Sequence, residues 1–140
     1  MIRVVLADDE DLIRGALAAL LDLEPDLSVV AQCSNGAEAV RAVREHTPDI
    51  AVLDLEMPEV DGVQAARQVG AQVPVVLVTR HARPGVLKRA LEAGIRGFVP
   101  KTTPASRLAA ILRDVHDGGR YIDPEIAASA LTSGACPLTD

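Results

Sequence analysis

The sequence predicts an α/β protein built on one doubly wound, five-stranded parallel sheet with helices on both faces. Residues 50–53 are apolar, include β-branched Ile50 and Val52, and show no polar alternation, which is typical of a strand buried on both faces. Strand-like and helix-like patterns alternate five times along residues 1–117, and right-handed crossovers of that length give a parallel sheet. Apolar residues make up 49% and aromatic residues 1%, so the core should be aliphatic.

The elements follow one another in a regular order. Apolar runs predict five strands at residues 2–7, 27–33, 50–53, 73–78 and 95–99. The first helix ends before Pro25 and the second, which starts at Asn35-Gly36, ends before Pro48. Amphipathic spacing predicts three more helices, at about residues 63–69, between Pro84 and Gly94, and from Pro104 to Val115.

We expect a domain boundary at Gly118-Gly119, which divides the chain into a domain over residues 1–119 and a short extension over residues 120–140. Asp123-Pro124-Glu125 predicts the start of an extra helix that ends near Leu131. The remaining residues are rich in Ser, Gly, Pro and Thr, and we interpret them as a linker towards a domain that the sequence does not contain.

Composition excludes several classes of function. The net charge of −6 and the pI near 5.0 argue against DNA binding by this segment alone. The scarcity of aromatic rings disfavours a flavin site. Cys33 and Cys136 fit neither a metal nor a disulfide spacing, so we expect a reducing, cytoplasmic location. The sequence shows no signal peptide and no membrane-spanning run, so no membrane partner is expected.

Polar residues follow four of the predicted strands. Asp8 and Asp9 follow the first strand, Asp54 ends the third, and Thr79 and Lys101 follow the fourth and fifth. The carboxyl ends of parallel strands share one edge of the sheet, which is where open α/β sheets bind ligands. Clustered carboxylates repel one another, and Mg²⁺ (or Mn²⁺) relieves that repulsion while keeping waters and a phosphoryl oxygen as ligands.

This constellation predicts phosphoryl transfer to Asp54. A carboxylate can accept a phosphoryl group as an aspartyl phosphate, and the ammonium of Lys101 and the hydroxyl of Thr79 would stabilise the charge on its oxygens. Each feature alone has a simpler explanation, such as a solvated helix N-terminus or an ordinary strand residue. Their coincidence at four strand ends favours the functional interpretation.

The motifs VVLADDE, IAVLDLEMPEVDG, VVLVT and GFVPK resemble the receiver domain of two-component response regulators over residues 1 to about 117. The resemblance implies a flavodoxin-like sheet with the strand order 2-1-3-4-5. It also implies individual roles: Asp54 as phosphoacceptor, Asp8, Asp9, Asp54 and the backbone carbonyl of Glu56 as metal ligands, Thr79 and Lys101 as phosphoryl contacts, and Thr79 with Phe98 as the switch pair. Phe98 is equally compatible with a place in the core.

Within the family, ARPGVLKRALEAGIRGFVPK and CPLTD resemble the LuxR/NarL-type branch, and the likeness extends to regulators of membrane-lipid desaturase genes. This resemblance implies a sensor histidine kinase as phosphodonor and DNA binding only through a further helix-turn-helix domain. We expect phosphorylation to control homodimerisation, with the first and fifth helices as the surface. The first helix carries more apolar residues than one core-facing stripe requires, although another helix pair remains an alternative.

The roles of Arg80 and His81 and two other functions stay open. Arg80 follows Thr79 where the family prefers a small residue, and it would either steady a phosphoryl group or point to solvent; His81 is expected to be an exposed loop residue. The alternatives are a receiver-like module that acts without phosphorylation and a small aspartyl-phosphate phosphohydrolase using Asp9-Glu10-Asp11. Otherwise we expect no enzyme beyond self-phosphorylation and slow autodephosphorylation. Ser106, Asp114 and His116 share one predicted helix, so they form no hydrolase triad.

Overall fold

The structure, a computed structural model, describes residues 1–81, 83 and 85–132, with side chains as far as residue 129. Strands and helices alternate along the chain as predicted. The strands are β1 Ile2–Ala7, β2 Leu27–Cys33, β3 Ile50–Asp54, β4 Val75–Thr79, β5 Gly97–Pro100 and β6 Tyr121–Ile122. The helices are α1 Asp11–Asp22, α2 Gly36–His46, α3 Gly62–Val69, α4 Val86–Glu92, α5 Ala105–His116 and α6 Pro124–Thr132. A 3-10 turn covers Gly70–Gln72.

The sheet is parallel and has the order β2-β1-β3-β4-β5-β6. The predicted fold class and the order of the first five strands are therefore confirmed. The sixth strand was not predicted: it has two residues, pairs with β5 at Gly97 and Phe98, and follows the turn at Gly118-Gly119. Two residues carry no periodicity from which a strand can be recognised.

Apolar side chains cover both faces of the sheet and form two separate clusters. Along β3, Ala51 and Leu53 belong to the cluster under α2, α3 and α4, whereas Ile50 and Val52 belong to the cluster under α1 and α5. All four side chains are at most 1% exposed. The absence of polar alternation in this strand thus reflects burial on both faces, as in other doubly wound proteins.

The C-terminal segment packs onto the edge of the sheet. Asp123 accepts hydrogen bonds from the backbone N–H groups of Glu125 and Ile126, which starts α6 as predicted. Its own backbone N–H donates to the carbonyl of Phe98, and Ile126 is buried in the same cluster as Phe98. The predicted linker over residues 133–140 and the predicted helix boundary at Pro84 lie outside the described residues.

No helix among the described residues has both the length and the hydropathy needed to cross a bilayer.

Candidate functional site

Four adjacent strands position the candidate site at the carboxyl edge of the sheet. Asp8 directly follows β1, Asp54 is the last residue of β3, Thr79 the last of β4, and Lys101 directly follows β5. The backbone N–H of Lys101 donates to the carbonyl of Thr79 at 2.7 Å, which continues the pairing of β4 with β5 to this edge. The residues predicted to converge from distant parts of the sequence therefore share one edge.

The ammonium of Lys101 lies among carboxylates. Its Nζ is 2.9 Å from Oδ2 of Asp54 and 3.1 Å from the carboxylate of Asp8, and it also contacts Oε1 of Glu10. The side chains of Asp54 and Asp8 are 1% and 3% exposed, and that of Lys101 is 10% exposed. Lys101 therefore supplies the positive charge that permits burial of two carboxylates at the edge of an apolar core.

Carboxylate oxygens of Asp8, Asp9, Glu10 and Asp54 all lie within 4.8 Å of one another. Asp9 is exposed, whereas Asp8 and Asp54 are buried, so the cluster opens to solvent on one side. Several hard oxygen donors with room for water are the ligand set that Mg²⁺ or Mn²⁺ prefers. The residues present therefore fit a divalent cation, and Glu10 lies beside the predicted ligands with its carboxylate paired to Lys101 and Arg80.

Thr79 is linked to Asp54 through Glu56. Thr79 is 2% exposed, and its hydroxyl lies 2.6 Å from Oε2 of Glu56 and 2.9 Å from the carbonyl of His81. The backbone N–H of Glu56 donates to Oδ1 of Asp54 at 3.2 Å. The hydrogen bonds of Thr79 thus run to the loops that flank the site, and Glu56 connects the ends of β3 and β4.

Burial sets the protonation behaviour of the site. Burial raises the pKa of Asp54 to about 7, against the lowering effect of the Lys101 ammonium, and the negative charge of Asp8 adds to the rise. Burial works to lower the pKa of Lys101, but hydrogen bonds to Glu10, Asp54 and Asp8 raise it above its ordinary value. Lys101 is therefore charged at neutral pH, while Asp54 is poised between its two protonation states.

Two residues at the mouth of the site were not predicted to contact each other. Glu10 ends the loop before α1, and its Oε1 contacts both Lys101 and the guanidinium of Arg80. These two hydrogen bonds are the main reason that the pKa of Glu10 lies below its ordinary value. The interpretation in which Arg80 points only to solvent is wrong, because its side chain, although half exposed, pairs across the mouth. The acidic run from Asp8 to Asp11 was the only sequence signal for Glu10.

The structure places Phe98 away from the edge. Its ring is fully buried in the cluster under α4, with Ala90 and Ile126 in the same cluster. His81 is exposed, as expected, and its backbone N–H donates to the Thr79 hydroxyl at 3.1 Å. Phe98 thus occupies the position of a core residue in this structure.

A parallel sheet ordered 2-1-3-4-5 with a buried aspartate, an acidic pair and a lysine at its carboxyl edge defines a receiver domain. The response regulator receiver domain family matches residues 4–113, and the chain belongs to that family. The chain is 38% identical over 141 aligned positions to transcriptional regulatory protein DesR of Bacillus subtilis (strain 168), covering 100% of this chain and 70% of DesR. It is 34% identical to transcriptional regulatory protein UhpA of Escherichia coli (strain K12), covering 99% of this chain and 71% of UhpA.

Solved structures support the same placement in the LuxR/NarL branch. The signal receiver domain of the response regulator NarL from Mycobacterium tuberculosis superposes with a TM-score of 0.80 at 32% identity, covering 84% of this chain and 97% of that one. A LuxR-family two-component response regulator from Aurantimonas sp. SI85-9A1 superposes with a TM-score of 0.85 at 30% identity, covering 95% of this chain and 97% of that one. The chain is thus a LuxR-family receiver domain, a class of signalling module.

Proposed function

We propose that this chain is a phosphorylation-dependent switch that accepts a phosphoryl group on Asp54 from a sensor histidine kinase. The observation that carries this proposal is the contact between Asp54 and Lys101. A buried carboxylate at the open edge of the sheet is held 2.9 Å from the ammonium of a lysine whose side chain is 10% exposed, and the other carboxylates of the site lie close to both groups. Among functions open to a receiver domain, this geometry favours an acceptor for a phosphoryl group over a purely structural ion pair.

In the proposed reaction, one carboxylate oxygen of Asp54 attacks the phosphorus of a phosphohistidine. The new P–O bond forms as the P–N bond breaks, and the histidine nitrogen keeps the electron pair and takes up a proton. Asp54 must be ionised to attack, and the ammonium of Lys101 favours that form. The same ammonium then holds a phosphoryl oxygen, because it lies within hydrogen-bond distance of Asp54 already.

The carboxylates of Asp8, Asp9 and Asp54 would hold the divalent cation, with the backbone carbonyl of Glu56 as the further ligand that the family resemblance implies. When bound, the cation neutralises charge on the transferring phosphoryl oxygens. Asp8 is oriented for this role by its own loop, since its Oδ1 accepts a hydrogen bond from the backbone N–H of Glu10 at 2.8 Å. Its backbone carbonyl accepts another from Arg14.

The switch would begin at Thr79. In this structure its hydroxyl is engaged by Glu56 and the His81 loop, so contact with a phosphoryl group requires Thr79 to exchange these partners. That exchange would move the loop between β4 and α4, and the cluster containing Phe98 lies directly beneath α4. We propose that Phe98 and α4 repack together in response, which gives two arrangements of one element.

The test of this proposal is intact mass spectrometry after incubation with acetyl phosphate and Mg²⁺. The wild-type chain should gain one phosphoryl group, and Asp54→Asn should gain none because the acceptor oxygen is lost. Asp114→Asn is the matched control, since Asp114 is exposed on α5 and should leave phosphorylation intact. If the wild-type chain gained no phosphoryl group, this proposal would be wrong, and the alternative of a receiver-like module that acts without phosphorylation would be favoured.

We further propose that phosphorylation promotes a homodimer through α1 and α5. Leu12 and Leu20 of α1 are 87% and 49% exposed, and Ile13 is 39% exposed, so this helix presents apolar surface that the core does not use. Ile13, Leu20 and Leu108 line a groove of about 230 Å³ between α1 and α5. Both relatives described above are transcriptional regulatory proteins, which supports an attached DNA-binding domain whose pairing the dimer would control.

Sedimentation velocity with and without beryllofluoride and Mg²⁺ tests the dimer. We expect the wild-type chain to change from monomer to dimer when beryllofluoride is added, whereas Leu20→Glu should stay monomeric because a charge on the surface opposes its burial. Leu91→Glu on α4, which alters a leucine 40% exposed, is the matched control and should still dimerise. If Leu20→Glu dimerised and Leu91→Glu did not, we would place the interface on α4 instead.

A further inference from the structure

An ion pair that the function above does not use lies at the solvent-exposed mouth of the site. Oε1 of Glu10 contacts the guanidinium of Arg80 on one side and Nζ of Lys101 on the other. Glu10 is the N-cap residue of α1, yet its side chain accepts no capping hydrogen bond and turns to these cations instead. Glu10, which follows β1, thus connects to residues just after β4 and β5, close to Asp54.

A phosphoryl group on Asp54 would need the space that Glu10 occupies and the cations that Glu10 contacts. The carboxylate oxygens of Glu10 and Asp54 are among those that lie within 4.8 Å of one another. A phosphoryl group bonded to Asp54 adds negative charge and further acceptor oxygens at this point. Two anionic groups so close repel each other, so Glu10 has to release its partners when the phosphoryl group arrives.

Arg80 is suited to bind a phosphoryl group once Glu10 releases its guanidinium. Its guanidinium has a planar fork of N–H donors that matches phosphate oxygens. Its backbone is held in place, because its N–H donates to Oε1 of Glu56 at 3.3 Å while Thr79, one residue earlier, is buried. The side chain is half exposed, and so it can move by rotation alone without disturbing the core.

We propose that Glu10 acts as a stand-in for the phosphoryl group in the resting protein, and that Arg80 is a second phosphoryl-binding cation which Glu10 gives up on phosphorylation. This inference rests on the proposed function of Asp54. It assigns Arg80 direct contact with the phosphoryl oxygens and Glu10 the role of a competing anion. The site would then hold its phosphoryl group between Lys101 on one side and Arg80 on the other.

The test measures the affinity of the chain for beryllofluoride by fluorine NMR, at a Mg²⁺ concentration shown by titration to be saturating for each variant. Arg80→Ala should weaken beryllofluoride binding about tenfold, since it removes a charged hydrogen-bond donor. Glu10→Gln should tighten binding roughly two- to fivefold, since it removes a partly exposed competitor. Arg89→Ala is the matched control, because Arg89 lies on α4 with its guanidinium 3.9 Å from Asp61, and should bind as the wild type does.

The double variant Glu10→Gln with Arg80→Ala separates direct contact from an indirect effect. If Arg80 binds the phosphoryl group itself, Arg80→Ala should weaken binding at least as much in the Glu10→Gln background as in the wild type, because in that background Arg80 has no contact with the Glu10 carboxylate to break first. If Arg80 only positions Glu10, the loss should vanish in that background, and the inference would be overturned. Equal affinity of Arg80→Ala and wild type would overturn it as well, while leaving Asp54 as acceptor; a wild type that binds no beryllofluoride would refute the proposed function itself.

Discussion

Replacing Lys101 by methionine is expected to lower the free energy of unfolding of the metal-free protein by about 3–5 kcal/mol at pH 8, because breaking a buried ion pair leaves uncompensated charge. Lys101 contacts Asp54, Asp8 and Glu10, and its side chain is 10% exposed. Methionine preserves most of the aliphatic stem and removes only the ammonium. Urea unfolding followed by far-ultraviolet circular dichroism in the presence of a chelator measures the change.

The chain offers a matched control for this substitution. Lys88 is its only other lysine and lies exposed on α4, so Lys88→Met should change the free energy of unfolding by less than about 0.5 kcal/mol. Adding Asp54→Asn to Lys101→Met should recover part of the lost stability, because one of the unpaired carboxylates is then gone. A loss below about 1 kcal/mol for Lys101→Met would show that the ammonium does not support the buried carboxylates.

The sequence alone was enough to predict which residues meet at the site when those residues lie at the ends of strands. Asp8, Asp54, Thr79 and Lys101 follow buried apolar strands, and in a parallel sheet such positions meet whatever the loops do. The same reasoning predicted burial on both faces of β3, where Val52 is 0% exposed. In these cases the backbone fixes the position of the side chain, and the backbone is encoded by long apolar patterns.

The remaining features depend on side-chain conformations and on short-range packing. Glu10 and Arg80 are separated by seventy positions and have long side chains, so their pairing follows from rotamers that no periodicity encodes. Phe98 could equally be a switch or a core residue by sequence, and its complete burial under α4 depends partly on Ile126, which belongs to the C-terminal segment. Leu12 belongs to the apolar pattern of α1 and is nevertheless 87% exposed.

The second large effect concerns pH. The pKa of Asp54 is raised from its ordinary value of 3.8 to about 7 in the folded, metal-free protein. The folded state therefore binds this proton more tightly than the unfolded state does, so the proton stabilises the fold at low pH. That contribution is lost as the pH rises through the window from about 4 to about 7. It amounts to roughly 4 kcal/mol, since the pKa rises by about three units and one unit corresponds to about 1.4 kcal/mol.

Asp54→Asn removes this titration and retains one side-chain oxygen, which can accept the hydrogen bond from Lys101 while the amide nitrogen accepts none from the Glu56 backbone. The two proteins should differ little in free energy of unfolding near pH 4. By pH 8 the variant should be the more stable one by roughly 4 kcal/mol, because the wild type must then bury an ionised carboxylate. The measurement is a series of urea titrations from pH 4 to pH 8 with a chelator present.

Taking the difference between the two proteins cancels every group that titrates equally in both, including the histidines. A difference that stayed constant across the window would mean that Lys101 fully compensates the charge of Asp54, and that the acceptor is ionised throughout.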